Sequence, residues 1–279
     1  MVYKKITIYF SLVIALSCAF SCGFKRVTKT SNIAYGTKNL SKQELNVFSP
    51  KNSINSNPVL IFIHGGNWNS GNKSLYSFLG KRFAKKGVVT VVIGYPYSPE
   101  ANVNDMANSC ASAVNWVSDN ITRYSGSPDR IYVSGHSAGG HLAALISLRN
   151  EYFDSLKMSN PIKGAILIDA AGLDMFGYLK KENLPKSHHY LKVFGDEPAV
   201  WKSATPLYYL KGIMPRFLIY QGEKTYPSIK DSNQKFVKEL GKYVEPQFKI
   251  LKGKKHVPMI TQFFNSKNPL YNEIINFMQ

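Results

Sequence analysis

Arg130-Ile-Tyr-Val-Ser-Gly-His-Ser-Ala-Gly-Gly-His141 sets a serine inside G-x-S-x-G, between an apolar strand-like run and a helix of small residues. A strand that turns at once into a helix strains its corner residue, and side chains at the flanking positions would collide with the neighbouring strand and helix. Gly135 and Gly139 remove that collision, which makes Ser137 the expected nucleophile. The motif is informative through its context. Ile131-Tyr-Val-Ser134 reads as a buried strand and His141-Leu-Ala-Ala-Leu-Ile-Ser-Leu148 as a helix.

Working outward, Pro58-Val-Leu-Ile-Phe-Ile63 is a second continuously apolar run, and it ends in His64-Gly65-Gly66-Asn67-Trp68. Glycines let a loop approach a substrate closely, and main-chain N–H groups aimed at a carbonyl oxygen stabilise the charge that acyl transfer creates there. The amides of Gly66, Asn67 and Ala138 are the expected oxyanion donors. Trp68 is read either as a substrate-binding wall or as a core anchor under the loop. Toward the C-terminus, the strand-like Pro246-Gln-Phe-Lys-Ile-Leu251 leads into Gly253-Lys-Lys-His256, so His256 is the expected general base. His64 is read as part of the loop motif, His136 and His141 as packing or hydrogen-bonding locally beside the elbow, and His188 and His189 as surface residues. No set of His, Cys and carboxylates has metal-site spacing, and neither a metal nor a cofactor is expected.

Between these motifs, Gly87-Val-Val-Thr-Val-Val-Ile93 and the helical Asn104–Val117 continue an alternation of β-type and α-type runs. Such alternation implies an α/β fold, a mostly parallel sheet with helices on both faces and active residues at the carboxyl ends of strands. The span 173–210, rich in aromatics, Lys and Pro, interrupts the pattern and is either a small cap or a surface excursion. At 279 residues without repeats or linkers, residues 33–279 read as one domain.

The HGGNW run, the GHSAGG run and the late His256 together resemble an α/β-hydrolase of the esterase/lipase type carrying an HGGxW loop. The resemblance extends to bacterial feruloyl- and acetyl-esterase-like enzymes and to the kynurenine-formamidase-like branch. It implies a serine carboxylesterase working through an acyl-enzyme on short-chain or polysaccharide-linked acyl esters. Two other readings are an N-formyl arylamide hydrolase using the same groups, and a surface protein that kept the fold without the chemistry. The family commonly places its third group, an Asp, in the loop after the strand Arg216–Tyr220, where this chain has Thr225. Glu223, on that loop, is the first expectation for the acid. Asp174, from the earlier loop after Ala165–Ile168, is the alternative, and Asp231 is a distant third.

Lys4-Lys5 and the apolar run from Ile6 to Phe20 read as an export signal over 1–22, of the lipoprotein type, with Cys22, rather than Cys18 inside the apolar run, as the lipidated residue ahead of a short tether at 23–32. The expected location is the cell envelope, by membrane attachment through Cys22, or secretion. Cys110 would then be the one remaining cysteine, a small core residue. The net charge of +18 comes from lysines spread along the chain without a nucleic-acid motif, so no specific nucleic-acid partner is expected. The sequence leaves the oligomeric state open.

Overall fold

The computed structural model describes residues 27–36, 42–51 and 56–279. The export-signal reading and Cys22 lie outside them. Eight strands form one sheet: β1 (Val27–Ala34), β2 (Glu44–Pro50), β3 (Asn57–Ile63), β4 (Val89–Ile93), β5 (Gly126–His136), β6 (Ile162–Ile168), β7 (Arg216–Gly222) and β8 (Gln247–Leu251). Their order is β1-β2-β4-β3-β5-β6-β7-β8. β2 pairs antiparallel with both β1 and β4, and every other pair is parallel.

The continuous apolar runs have a direct cause, because the central strands are buried on both faces. Along β3, Val59, Ile61 and Ile63 enter one core cluster while Leu60 and Phe62 enter the other. β6 divides in the same way, Ala165 and Leu167 to one side and Ile166 and Ile168 to the other. The first face is covered by α2 (Val103–Asn120) and α3 (Ala138–Leu148), the second by α1 (Ser77–Lys85) and the C-terminal α10 (Leu270–Phe277). Asn102 caps α2, accepting from the amides of Asn104 and Asp105, while Asp105 accepts in return from the Asn102 amide. Cys110, on α2, is fully buried, and burial pushes its thiol pKa up.

Two boundaries differ from the sequence reading. Residues 27–32, read as tether, belong to β1 at the sheet's edge, paired from Val27↔Pro50 onward. Their polar character is that of an edge strand with little of its surface covered. His256, expected in a loop, opens a short helix.

After α3 come α4 (Glu151–Asp154), then in the 173–210 span α5 (Met175–Glu182), α6 (His189–Phe194) and α7 (Pro198–Ser203), then α8 (Pro227–Leu240) and α9 (His256–Thr261). Leu173, Leu179, Val193 and Phe194 pack into the first core cluster, and Met175, Tyr178 and Tyr190 form part of a cavity wall.

Candidate active site

β5 ends at His136 and α3 begins at Ala138, so the whole reversal falls on Ser137, which has φ 56° and ψ −122°. Only a fold that leaves no room for a wider turn holds a non-glycine residue there. A Cβ on Gly135 would lie 2.2 Å from the Gly139 carbonyl, and one on Gly139 would lie 2.1 Å from the Ile63 carbonyl oxygen. Main-chain bonds tie the corner to β6 and its loop: the Ser137 amide donates to Ile168 at 3.2 Å and the Ala171 amide to Ser137 at 3.1 Å.

Ser137 Oγ and His256 Nε2 are 2.9 Å apart. At the far side of the ring, His256 Nδ1 lies 2.6 Å from Asp169 Oδ2. A carboxylate can only accept, so the ring proton sits on Nδ1 and the Nε2 lone pair receives the serine hydroxyl. Asp169 is 0% exposed and follows β6 directly, in a left-handed conformation with φ 49°. Its Oδ1 accepts the Gly222 amide at 2.8 Å, and its Oδ2 also accepts a short bond from the Thr225 hydroxyl. Three hydrogen-bond partners thus surround the buried carboxyl group in place of water.

The acid expected from the sequence is therefore corrected. Glu223 lies on the exposed side of its loop and accepts the Gly253 amide at 2.7 Å, which ties together the loops after β7 and β8. Asp174 caps α5, accepting the Gly177 amide at 3.0 Å, and pairs with Lys235 at 3.0 Å. Asp231 shares that lysine. The carboxylate against the imidazole is Asp169, one strand earlier than the usual position, and Thr225 at the usual position donates to it. The signal that identifies Asp169 is its place as the first residue after a parallel strand, the same place that Ser137 holds after β5.

The HGGNW loop lies across from this chain of bonds. Gly66, Asn67 and Trp68 have φ of 135°, 55° and 59°, a run of left-handed residues that curls the backbone over the serine. A Cβ on Gly65 would stand 3.2 Å from that of Ser137. Among the described residues, the amides of Gly66, Asn67 and Ala138 have no acceptor. Trp68 is a buried anchor, 1% exposed, that also lines the cavity. Its indole N–H donates to His141 Nδ1 at 3.2 Å, and His141 Nε2–H donates to the Ala204 carbonyl at 2.7 Å. That relay joins the loop to α3 and to the 173–210 span.

Three histidines are held neutral by burial. His64, His136 and His141 are each lowered to about 4, chiefly because the charged ring would be cut off from water. His136 donates Nε2–H to the His256 carbonyl at 3.1 Å, and its ring stacks on that of His256 with centroids 4.6 Å apart. The sequence did not single it out for this contact. His189, read as surface, meets the Asn67 side chain at 2.6 Å. Among the described residues, no group of His, Cys, Asp and Glu is arranged to hold a metal ion.

Ser137 opens into a cavity of about 990 Å³ that also contains His256 and the glycines of the HGGNW loop. The BD-FAE family profile matches residues 45–238. A probable isoprenylcysteine alpha-carbonyl methylesterase of Arabidopsis thaliana is 26% identical over 246 residues, covering 83% of this chain and 51% of the relative. Kynurenine formamidase of Salmo salar is 33% identical over 137 residues, covering 49% of this chain and 44% of the relative. The chain thus spans about half the length of these curated relatives. Among solved structures, a truncated carbohydrate esterase from gut microbiota superposes with a TM-score of 0.78 at 18% identity, over 92% of this chain and 96% of the other. The fold is that of the α/β-hydrolases.

Proposed function

The chain belongs to the BD-FAE family, and from that premise and its site geometry we propose that it is a serine carboxylic-ester hydrolase acting through an acyl-enzyme. The observation that carries this reading is the unbroken chain from Ser137 through His256 to Asp169, at 2.9 and 2.6 Å. Ser137 Oγ attacks the ester carbonyl while its proton passes to His256 Nε2. Asp169 stabilises the resulting imidazolium, and the amides of Gly66, Asn67 and Ala138 receive the oxyanion. Collapse breaks the bond to the alcohol, which leaves with the proton from Nε2. Water then repeats the sequence on the acyl-enzyme, releasing the acid and restoring the serine.

The acyl group is short on this reading, and its alcohol belongs to a polysaccharide or a smaller molecule. The test is hydrolysis of p-nitrophenyl acetate by the leaderless protein beside Ser137→Ala, together with covalent labelling by a fluorophosphonate. Turnover and label present in the parent and absent from the variant are the expected result. Equal rates in the two proteins reject every serine-hydrolase reading, and leave the fold without this chemistry.

A second substrate reading rests on the likeness to kynurenine formamidase: the same groups would cleave an N-formyl arylamide. Turnover of N-formylkynurenine above that of aryl acetates is its signature.

A further inference from the structure

We infer that this esterase site, on the reading above, takes its alcohol in an apolar arm of the cavity, so that the preferred substrate is an ester of a hydrophobic alcohol rather than of a sugar hydroxyl. The argument begins with the proton. The departing oxygen must receive it from His256 Nε2, so the alcohol leaves on the imidazole side of Ser137. On that side the chain continues from His256 into α9 and the turn after it, and these place Val257, Ile260 and Phe264 along the cavity, with Thr261 and the Tyr226 ring beside His256 as the polar neighbours. Leu75, just ahead of α1, and Phe78, in the first turn of α1, complete the wall, with Phe78 and Phe264 in ring contact at 4.1 Å.

Three of these side chains are unusually open for their type, while Ile260 is buried and Phe78 is half-buried. Leu75 is 70% exposed, Val257 59% and Phe264 58%. An apolar wall left wet at the mouth of a cavity gains most when an apolar group covers it. Other parts of the lining differ in kind, since they carry the paired carboxylate of Asp174 and the phenols of Tyr178 and Tyr190. A sugar leaving group would have to shed water from several hydroxyls against Leu75, Val257 and Phe264, which offer no partner. An alkyl or aryl alcohol sheds water at a gain, roughly fourfold for each methylene fully covered.

The experiment holds the acyl group constant and varies the alcohol. Acetate release is followed for ethyl acetate, hexyl acetate, 2-phenylethyl acetate and an acetylated methyl xyloside. We expect kcat/KM for the hexyl and phenylethyl esters at least tenfold above that for ethyl acetate, with the sugar ester no better than ethyl acetate. Leu75→Ser and Phe264→Ser should each lower the hexyl-to-ethyl ratio several-fold. Ile213→Ser, at a fully exposed position outside the cavity lining, should leave it unchanged. A sugar ester turned over fastest, or the two wall variants lowering ethyl and hexyl esters by one common factor, overturns the inference while the hydrolase reading stands. No turnover of any of the four, with no fluorophosphonate label on Ser137, overturns both.

Discussion

Replacing Asp169 with asparagine tests the relocated acid at the level of single hydrogen bonds. The Gly222 amide donates to Oδ1 and would oblige an asparagine to keep its carbonyl oxygen there, because the opposite flip sets two N–H donors against each other. The side-chain NH₂ then takes the Oδ2 seat, facing His256 Nδ1, and the Thr225 hydroxyl rotates to accept. With a donor at that seat, Nδ1 must be the bare nitrogen and the ring proton moves to Nε2. Ser137 is left without a base. A wrong tautomer of this kind costs about 10⁴ in kcat, or about 5.5 kcal/mol of barrier. Steady-state hydrolysis of p-nitrophenyl acetate at pH 8 measures it, with a thermal melt to show that the variant is folded. Glu223→Gln and Asp174→Asn, whose carboxylates serve loop and helix contacts, should stay within about tenfold of the parent. The reasoning is refuted if folded Asp169→Asn keeps a tenth or more of parental turnover, or if Glu223→Gln loses more than it does.

Two further outcomes follow from the geometry and a third from the sequence. The unfolded chain binds protons on His64, His136 and His141 near pH 6.5, whereas the folded chain binds them only near pH 4, so stability is full above 6.5 and falls as the pH drops through that window. At up to about 3 kcal/mol each, the fall should be plain in melting temperature between pH 6.5 and 5, and a constant melting temperature from pH 7 to 4.5 would contradict the burial argument. Gly139→Ala pushes a methyl group onto the Ile63 carbonyl and should lower the melting temperature by about 6 °C or more, on the order of 3 kcal/mol; a shift under 2 °C would mean that the elbow has room. In a bacterium expressing the whole chain, palmitate label should be lost in Cys22→Ser and kept in Cys18→Ser, and a label that follows Cys18, or none in the parent, removes the anchor assignment.

Much of this architecture could be read from residues because both sheet faces are covered, which writes β4 and the inner stretches of β3, β5, β6 and β7 as apolar runs. The glycine loops were legible for a related reason: backbone packed against backbone tolerates no Cβ, and glycine is conspicuous in a sequence. Ser137 and His256, read from separate motifs, stand within hydrogen-bonding distance. Asp169 was harder to find because its partners come from two distant places, the end of β7 with the Gly222 amide and the Thr225 hydroxyl, and the His256 ring. Spacing along one loop favoured Glu223, the nearest carboxylate to the usual position, and says nothing of which side that loop turns to solvent. The edge strand β1 was missed because its polar residues face water on a sheet border, where alternation fades.

The hydroxyl of Thr225 and the ring of His256 meet the same oxygen of Asp169, so the two strand ends are adjacent seats around one nitrogen. A descendant with Asp at 225 as well as 169 would set two buried carboxyl groups in contact, which would share one proton and leave one carboxylate for the imidazole, and losing either one afterwards would leave the other in place. The anchoring charge can thus migrate between strands over generations by two single-residue exchanges, with no step at which the histidine stands alone.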